Sequence, residues 1–162
     1  MHLDQTKAET LDSVRTRATE KRHSKGYRTA RENLRDLVDD KSFIEYGQLA
    51  VAAQRDRRDP STLRVDTAAD GVITGTATIN AAFCPNERTD VAVAIYDYSV
   101  LAGTQGFFHH QKLDRIFEIA ERERLPFVMY TEGGGGRPGD TDVKVNIAGL
   151  NSTSFSRWAG LT

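Results

Sequence analysis

The apolar positions change period twice within one stretch, Val91 to Gly139. Val91-Ala-Val-Ala-Ile-Tyr96 is a continuous apolar run, the pattern of a strand covered on both faces. From Phe107 the period becomes three to four. Leu113, Ile116, Phe117 and Ala120 make one apolar stripe, and Asp114, Arg115, Glu118, Glu121 and Arg122 face away. This predicts a helix from Phe107 to near Arg124, with Glu118 and Arg122 paired one turn apart. Pro126 then opens a second strand, Phe127–Tyr130. Strand, glycine turn, helix and strand form a crossover unit, so the two strands are expected to be parallel and the connection right-handed.

Ahead of this unit the pattern is weaker. Residues 4–25 are polar, with only Leu11, Val14 and Ala18 at helical spacing, and predict one helix with a thin apolar seam. Gly26 breaks it. Thr29-Ala-Arg-Glu32 has the form of a capping box, and Leu34, Leu37 and Val38 follow on one face. Phe43, Ile44 and Tyr46 begin an extended segment. Residues 52–66 carry charges and a proline and read as a surface loop. Its arginines, Arg55, Arg57 and Arg58, are candidates for phosphate contacts, but the interleaved Asp56 and Asp59 favour a solvated loop. Residues 69–79 favour strand, with Gly71 and Gly75 marking a bulge or a close backbone approach. With residues 91–96 they are expected to form an antiparallel hairpin across a longer loop. Near the C-terminus, Ile147, Leu150, Phe155 and Trp158 can line one face of a short helix starting near Asn151 or Ser152.

A chain of 162 residues suits one domain. The formal net charge of −1 provides no global field for nucleic acid or an anionic membrane. The single cysteine, Cys84, allows no internal disulfide and fits a reducing compartment. The acidic N-terminal stretch lacks the apolar core of a signal peptide. No apolar run approaches the roughly 20 residues of a membrane span. A soluble, cytoplasmic protein is expected.

The candidate chemistry sits in two glycine turns, Leu101-Ala-Gly103-Thr104-Gln105-Gly106 and Thr131-Glu132-Gly133-Gly134-Gly135-Gly136-Arg137-Pro138-Gly139. Four consecutive glycines cost backbone entropy on ordering. A fold tolerates that where backbone N–H groups must face a ligand, or where the loop simply moves. A nucleotide phosphate loop would need Lys and Ser or Thr after the glycines; Arg137-Pro138 stands there instead. His109-His110 has no converging cysteine or carboxylate cluster, and a packing or surface role is expected. No Ser/His/Asp or paired-carboxylate pattern is present.

The motifs taken in order carry a resemblance. Lys25-Gly-Tyr-Arg-Thr-Ala-Arg-Glu32 and Asp39-Asp-Lys-Ser-Phe-Ile-Glu45 resemble the opening of the carboxyltransferase (beta) subunit of biotin-dependent acyl-CoA carboxylases of the acetyl-/propionyl-CoA carboxylase type. Tyr27, Arg28 and Asn33 depart from its usual residues. Ala69-Asp-Gly-Val-Ile-Thr-Gly75 is similar to the next family motif. Asp97 to Gly106, with His109 and Lys112, is similar to the one after, with Ala102 where a glycine is usual. Glu132, Gly134, Gly135 and Arg137 align with the family's glycine-glycine-alanine-arginine loop, Gly136 replacing the alanine.

The resemblance implies an α/β fold, an incomplete crotonase/ClpP-like ββα superhelix. Residues 1–24 would be an N-terminal polar helix, and 25–162 the N-terminal part of the carboxyltransferase domain. It implies transfer of a carboxyl group from carboxybiotin to the α-carbon of an acyl-CoA through an oxyanion-stabilised enolate. Gly134 and Gly135 would be the catalytic backbone N–H donors. Gly103, Thr104, Gly106, Gly133, Gly136 and Arg137 would bind substrate. Biotin would arrive on a separate carrier, with no metal at this step. Implied partners are the biotin carboxylase and carrier components, with a homo-oligomer or a complementing carboxyltransferase chain. In the family a second glycine pair follows, so this chain is expected to be incomplete and inactive alone. Two other readings remain at this point: a non-catalytic acyl-CoA-binding module and a purely structural subunit. The residues that select acyl chain length lie mostly beyond this span.

Overall fold

Strand β3 (Asp90–Tyr96) explains its own apolar run. In the computed structural model, which describes residues 3–143 and 153–161, this strand is central in a four-stranded sheet of order β1-β2-β3-β4. Strand β1 is Ile44–Tyr46, β2 is Val72–Thr78 and β4 is Phe127–Tyr130. β2 pairs antiparallel with β3, from Val72 opposite Tyr96 to Thr78 opposite Asp90. β1 pairs antiparallel with β2, and β3 pairs parallel with β4, Ala92 opposite Phe127.

Alternate residues of β3 enter different cores. Ala92, Ala94 and Tyr96 meet Leu113, Ile116, Phe117 and Ala120 of the long helix α5 (Phe107–Glu123). Val91, Val93 and Ile95 join Ile73 and Ala77 against Ala30 and Leu34 of helix α3 (Ala30–Leu37). A strand with helices on both faces has no polar side to show, hence the unbroken apolar run. Helix α3 begins with the expected capping box: the Glu32 N–H donates to Thr29 Oγ1 at 3.1 Å, and the Thr29 N–H donates to Glu32 Oε2 at 2.8 Å. Gly75 is also as expected, since a Cβ there would overlap the Ile44 carbonyl and the Phe43 ring.

Four local expectations are corrected. Residues 4–25 form two helices, α1 (Leu3–Ala8) and α2 (Thr16–His23), rather than one. The apolar seam does not hold them: Leu11 and Val14 stay 37% and 47% exposed. Instead the buried Arg15 donates to the Val65 carbonyl (2.9 Å), Asp97 Oδ2 (2.7 Å) and Ser99 Oγ (2.9 Å). Residues 52–66 are not a solvated loop. Ala52, Ala53 and Gln54 are buried, and helix α4 (Pro60–Asp66) follows with Asp59 as its N-cap and Pro60 in its first turn. That start signal was readable, but the surrounding charges masked it. The strand expected at residue 69 starts at Val72, because Ala69, Asp70 and Gly71 form a left-handed turn (φ 53°, 47° and 75°). Finally, Glu118 pairs with Arg115 at 3.1 Å and Arg122 with Glu123 at 2.8 Å, rather than with each other.

Helix α6 (Ser154–Gly160) returns to α5. Trp158 lies 5.4 Å from both the Phe117 and Phe127 rings, while Phe155 is exposed. Ile147 and Leu150, expected on the same face, lie outside the described residues. Among the described residues no helix is long and apolar enough to cross a membrane.

Candidate active site

The two glycine turns leave the C-terminal ends of the parallel strands β3 and β4 and meet there. After β3, Asp97 accepts from the Ser99 N–H at 2.9 Å and turns the chain. Leu101, Ala102 and Gly103 then run through the left-handed region at φ 48°, 56° and 66°. Only the last is glycine, so the first two hold a conformation that side chains disfavour. After β4, Gly133 crosses Gly103 backbone to backbone. A Cβ on Gly103 would lie 2.7 Å from Gly133 Cα, and one on Gly133 would overlap the Gly103 carbonyl. Either side chain would force the turns apart.

A short parallel ladder continues the contact. The Gly134 N–H donates to the Ala102 carbonyl (3.2 Å), the Gln105 N–H to the Gly135 carbonyl (2.8 Å) and the Arg137 N–H to the Gln105 carbonyl (2.8 Å). Gly133 to Gly136 are exposed all the same. Gly135 has φ 85°, a Cβ there would meet nothing within 4 Å, and its N–H has no acceptor among the described residues. The loop is therefore fixed at one edge and open at the other.

Arg137 was expected to bind substrate. Its side chain points inward instead, 4% exposed. It donates to the Thr104 carbonyl (2.6 Å) and Thr104 Oγ1 (3.2 Å), pairs tightly with Asp70 and lies 3.6 Å from Asp140. Thr104 and Gly106 are drawn into the same structural role. The Thr104 hydroxyl also donates to the Leu101 carbonyl at 2.7 Å, and a Cβ on Gly106 would overlap the Arg137 guanidinium and the Asp140 carboxylate. Asp140 in turn accepts from the Phe107 N–H at 2.8 Å, at the start of α5. All eight expected site residues are thus brought together, but Gly103, Thr104, Gly106, Gly133 and Arg137 hold the turns in place.

Beneath this clamp, helix α5 secures the Asp70 turn. The His109 N–H donates to Asp70 Oδ2 at 2.7 Å, and the His109 ring Nδ1 lies 3.1 Å from the Asp70 carbonyl. Lys112 donates to the carbonyls of Ala69 (2.8 Å) and Val72. Burial lowers the Lys112 ammonium to about 8. Burial, reinforced by Arg137, lowers the His109 imidazole to about 3. The same burial pushes the Asp70 carboxyl up, against the pull of Arg137. His109 packs edge-on to Tyr96 at 4.5 Å, a core role.

Sequence reasoning did not find Asp70 and Asp140, because each gains its role from partners far along the chain. It also missed a cleft of about 1000 Å³ beside the turns. Helix α2 lines it together with Tyr98, Ser99, Leu101, Ala102 and Glu132. Arg22 on α2 grips Glu132 with two 2.8 Å bonds, tying the N-terminal arm to the glycine loop.

Residues 21–154 match the family described as "Carboxyl transferase domain". The beta5 subunit of a biotin-dependent acetyl-/propionyl-coenzyme A carboxylase from Mycobacterium leprae is 34% identical over 130 residues, covering 80% of this chain and 22% of that protein. Among solved structures, a single-chain, multi-domain long-chain acyl-CoA carboxylase superposes with a TM-score of 0.86 at 49% identity, over 99% of this chain and 16% of that one. The transcarboxylase 12S structure, described as a hexamer assembly with hydrolysed methylmalonyl-coenzyme A bound, gives 0.62 at 28% identity over 88% and 24%. The chain spans about a fifth of the length of the curated relatives it matches. Its four-stranded sheet and helices are part of the crotonase-like fold of those carboxyltransferases. The matched span takes in the capping-box helix, the left-handed Asp70 turn and both glycine turns, and the chain belongs to the carboxyl transferase domain family.

Proposed function

We propose that residues 25–162 form the N-terminal part of a carboxyltransferase domain, with residues 1–24 an N-terminal arm ahead of it. The reaction is transfer of a carboxyl group from carboxybiotin to the α-carbon of an acyl-CoA. The observation that carries this is the docking of two glycine turns, from parallel strands, with an ordered inner edge and an exposed outer one. Removing the α-proton of a thioester places negative charge on its carbonyl oxygen, and preorganised backbone N–H groups stabilise that charge at no cost in reorganisation. Gly135 is the leading donor. The Gly134 N–H joins it only by exchanging its 3.2 Å bond to the Ala102 carbonyl. Gly136 offers the adjoining backbone surface to substrate.

Biotin enters this reading through the relatives, which are described as biotin-dependent. Among the described residues nothing covers the exposed face of Gly135, where a Cβ would meet no atom within 4 Å. These residues do not form a biotin site by themselves, and no step is assigned through it. The partners proposed are acyl-CoA, the biotin carboxylase and carrier components, and further carboxyltransferase chains. Because the chain spans about a fifth of its relatives, we propose that it binds acyl-CoA but does not turn over alone. Equilibrium titration with acetyl- and propionyl-CoA tests the first part, and absence of binding overturns it. Decarboxylation of malonyl- or methylmalonyl-CoA with free biotin tests the second, and robust turnover by the isolated chain refutes it.

A further inference from the structure

The cleft beside the glycine turns carries charge that the fold does not use. Its acidic wall residues, Asp66 and Glu132, are both matched: Arg58 lies 3.7 Å from Asp66, and Arg22 grips Glu132. Arg15 is spent on Asp97. That leaves Arg17 and Lys21 on α2 and Lys25 just after it, which also line the cleft. All three are exposed, and none has an ion-pair partner among the described residues. Arg17 and Lys21 are one turn apart on the same side of the helix, and Lys25 follows its C-terminal end along the same cleft. Like charges at that spacing cost a helix ~0.2–0.5 kcal/mol per pair. In a chain of net charge −1, three uncompensated cations along one cleft call for an anion with several charges. The cleft also reaches Leu101, Ala102 and Glu132, residues of the two glycine turns, so one elongated ligand can touch both. Tyr27 and Tyr98 line it too, with the Arg22 guanidinium 5.0 and 5.5 Å from their rings, a setting suited to a purine ring.

We propose that Arg17, Lys21 and Lys25 bind the phosphate groups at the nucleotide end of a coenzyme A thioester, with Arg15 the positioning residue that holds their helix over the cleft. The choice of ligand rests on the acyl-CoA reading above; the charge of the cleft does not. The family match begins at residue 21, so Arg15 and Arg17 are contributions of the arm ahead of it.

The test is calorimetric titration of the full chain and of its Arg17→Glu/Lys21→Glu/Lys25→Glu variant with coenzyme A, dephospho-coenzyme A and pantetheine. Unchanged circular dichroism of the variant establishes that it folds. The wild type binds in the order coenzyme A, dephospho-coenzyme A, pantetheine, and added salt weakens the first most. The variant loses about tenfold or more for coenzyme A, the scale of lost charge-assisted bonds, and retains its affinity for pantetheine. The charge-conserving Arg17→Lys/Lys21→Arg exchange binds coenzyme A like the wild type, and a tenfold loss in it contradicts a site made by charge. If the variant binds coenzyme A like the wild type, the cleft proposal fails while the acyl-CoA reading stands. A wild type that binds neither coenzyme A nor pantetheine sinks both. Tighter binding of a single-stranded RNA than of coenzyme A at equal salt overturns the choice of ligand.

Discussion

The β3–α5–β4 crossover and the N-terminal arm are attached by different physics. The crossover buries Ile95, Leu113, Ile116 and Phe117 on helices and strands close in sequence. Its affinity for itself is apolar, non-directional and nearly independent of salt. The arm keeps its large apolar residues exposed and is fastened by polar contacts: Arg15 and Arg22 reach Asp97 and Glu132, Glu9 pairs with Arg64, Thr10 accepts from Arg31 and Gln48, and Asp12 accepts from Thr29. Directional polar anchors hold position well but contribute little net stability where water can replace them. The arm is therefore the part that can loosen while the sheet stays folded. Between the two lies the Asp70–Arg137 clamp, polar like the arm but as deeply buried as the core.

The largest effect is expected at that clamp. Arg137→Ala leaves Asp70 buried without its partner and costs ~3–5 kcal/mol, read as a lower urea midpoint. Replacing both residues by apolar ones of similar size costs less than either single change. An Arg137→Ala variant as stable as wild type would remove the clamp from this account.

Next comes the contrast itself. Ile116→Ala opens a cavity in the core and costs ~2–5 kcal/mol, with little change in salt. Arg22→Met breaks a pair whose Glu132 side chain is 41% exposed, so screening limits the global loss to ~1 kcal/mol or less. Its larger mark should be faster proteolysis and amide exchange within residues 3–26 alone. Equal loss across the sheet would show that the arm and core unfold as one unit.

A third test uses protons. The folded chain holds His109 near 3, while the unfolded chain titrates it near 6.5. Below 6.5 the unfolded state binds the extra proton, so this contribution to stability is full above 6.5 and is lost as pH falls towards about 3. His110, also lowered by burial, acts in the same direction, and the raised Asp70 opposes them in the carboxylate range. The measurement is therefore the difference between wild type and His109→Gln. The variant should show a shallower decline between pH 6.5 and 4, and parallel curves would contradict the burial of a neutral imidazole.

The smallest expected change is a gain. Ala102 sits at φ 56° where glycine is comfortable, so Ala102→Gly should stabilise by ~1 kcal/mol. Gly135→Ala, at φ 85° with open space around it, should cost about as much in backbone strain alone. A loss on Ala102→Gly would mean that the methyl group makes a contact worth more than the strain.

The sequence by itself determined the elements whose signal is local. The capping box at Thr29 and Glu32, the stripe of α5 and the doubly covered strand β3 each depend on residues within one turn or one strand. The ordered motifs also carried the family. Local pattern did not reveal what Arg15, Arg22, Asp70, Asp140 and Arg137 do. A charged residue reads as solvated until its partner is known, and here, apart from the contact between Arg137 and Asp140, the partners that set these roles lie 33 to 110 residues away. The glycine turns show the division most clearly. Their composition announced a backbone site. Only the tertiary structure decided that Gly103 and Gly133 are spent on each other while Gly135 is left facing outward, because two backbones approach that closely only when strands β3 and β4 run side by side.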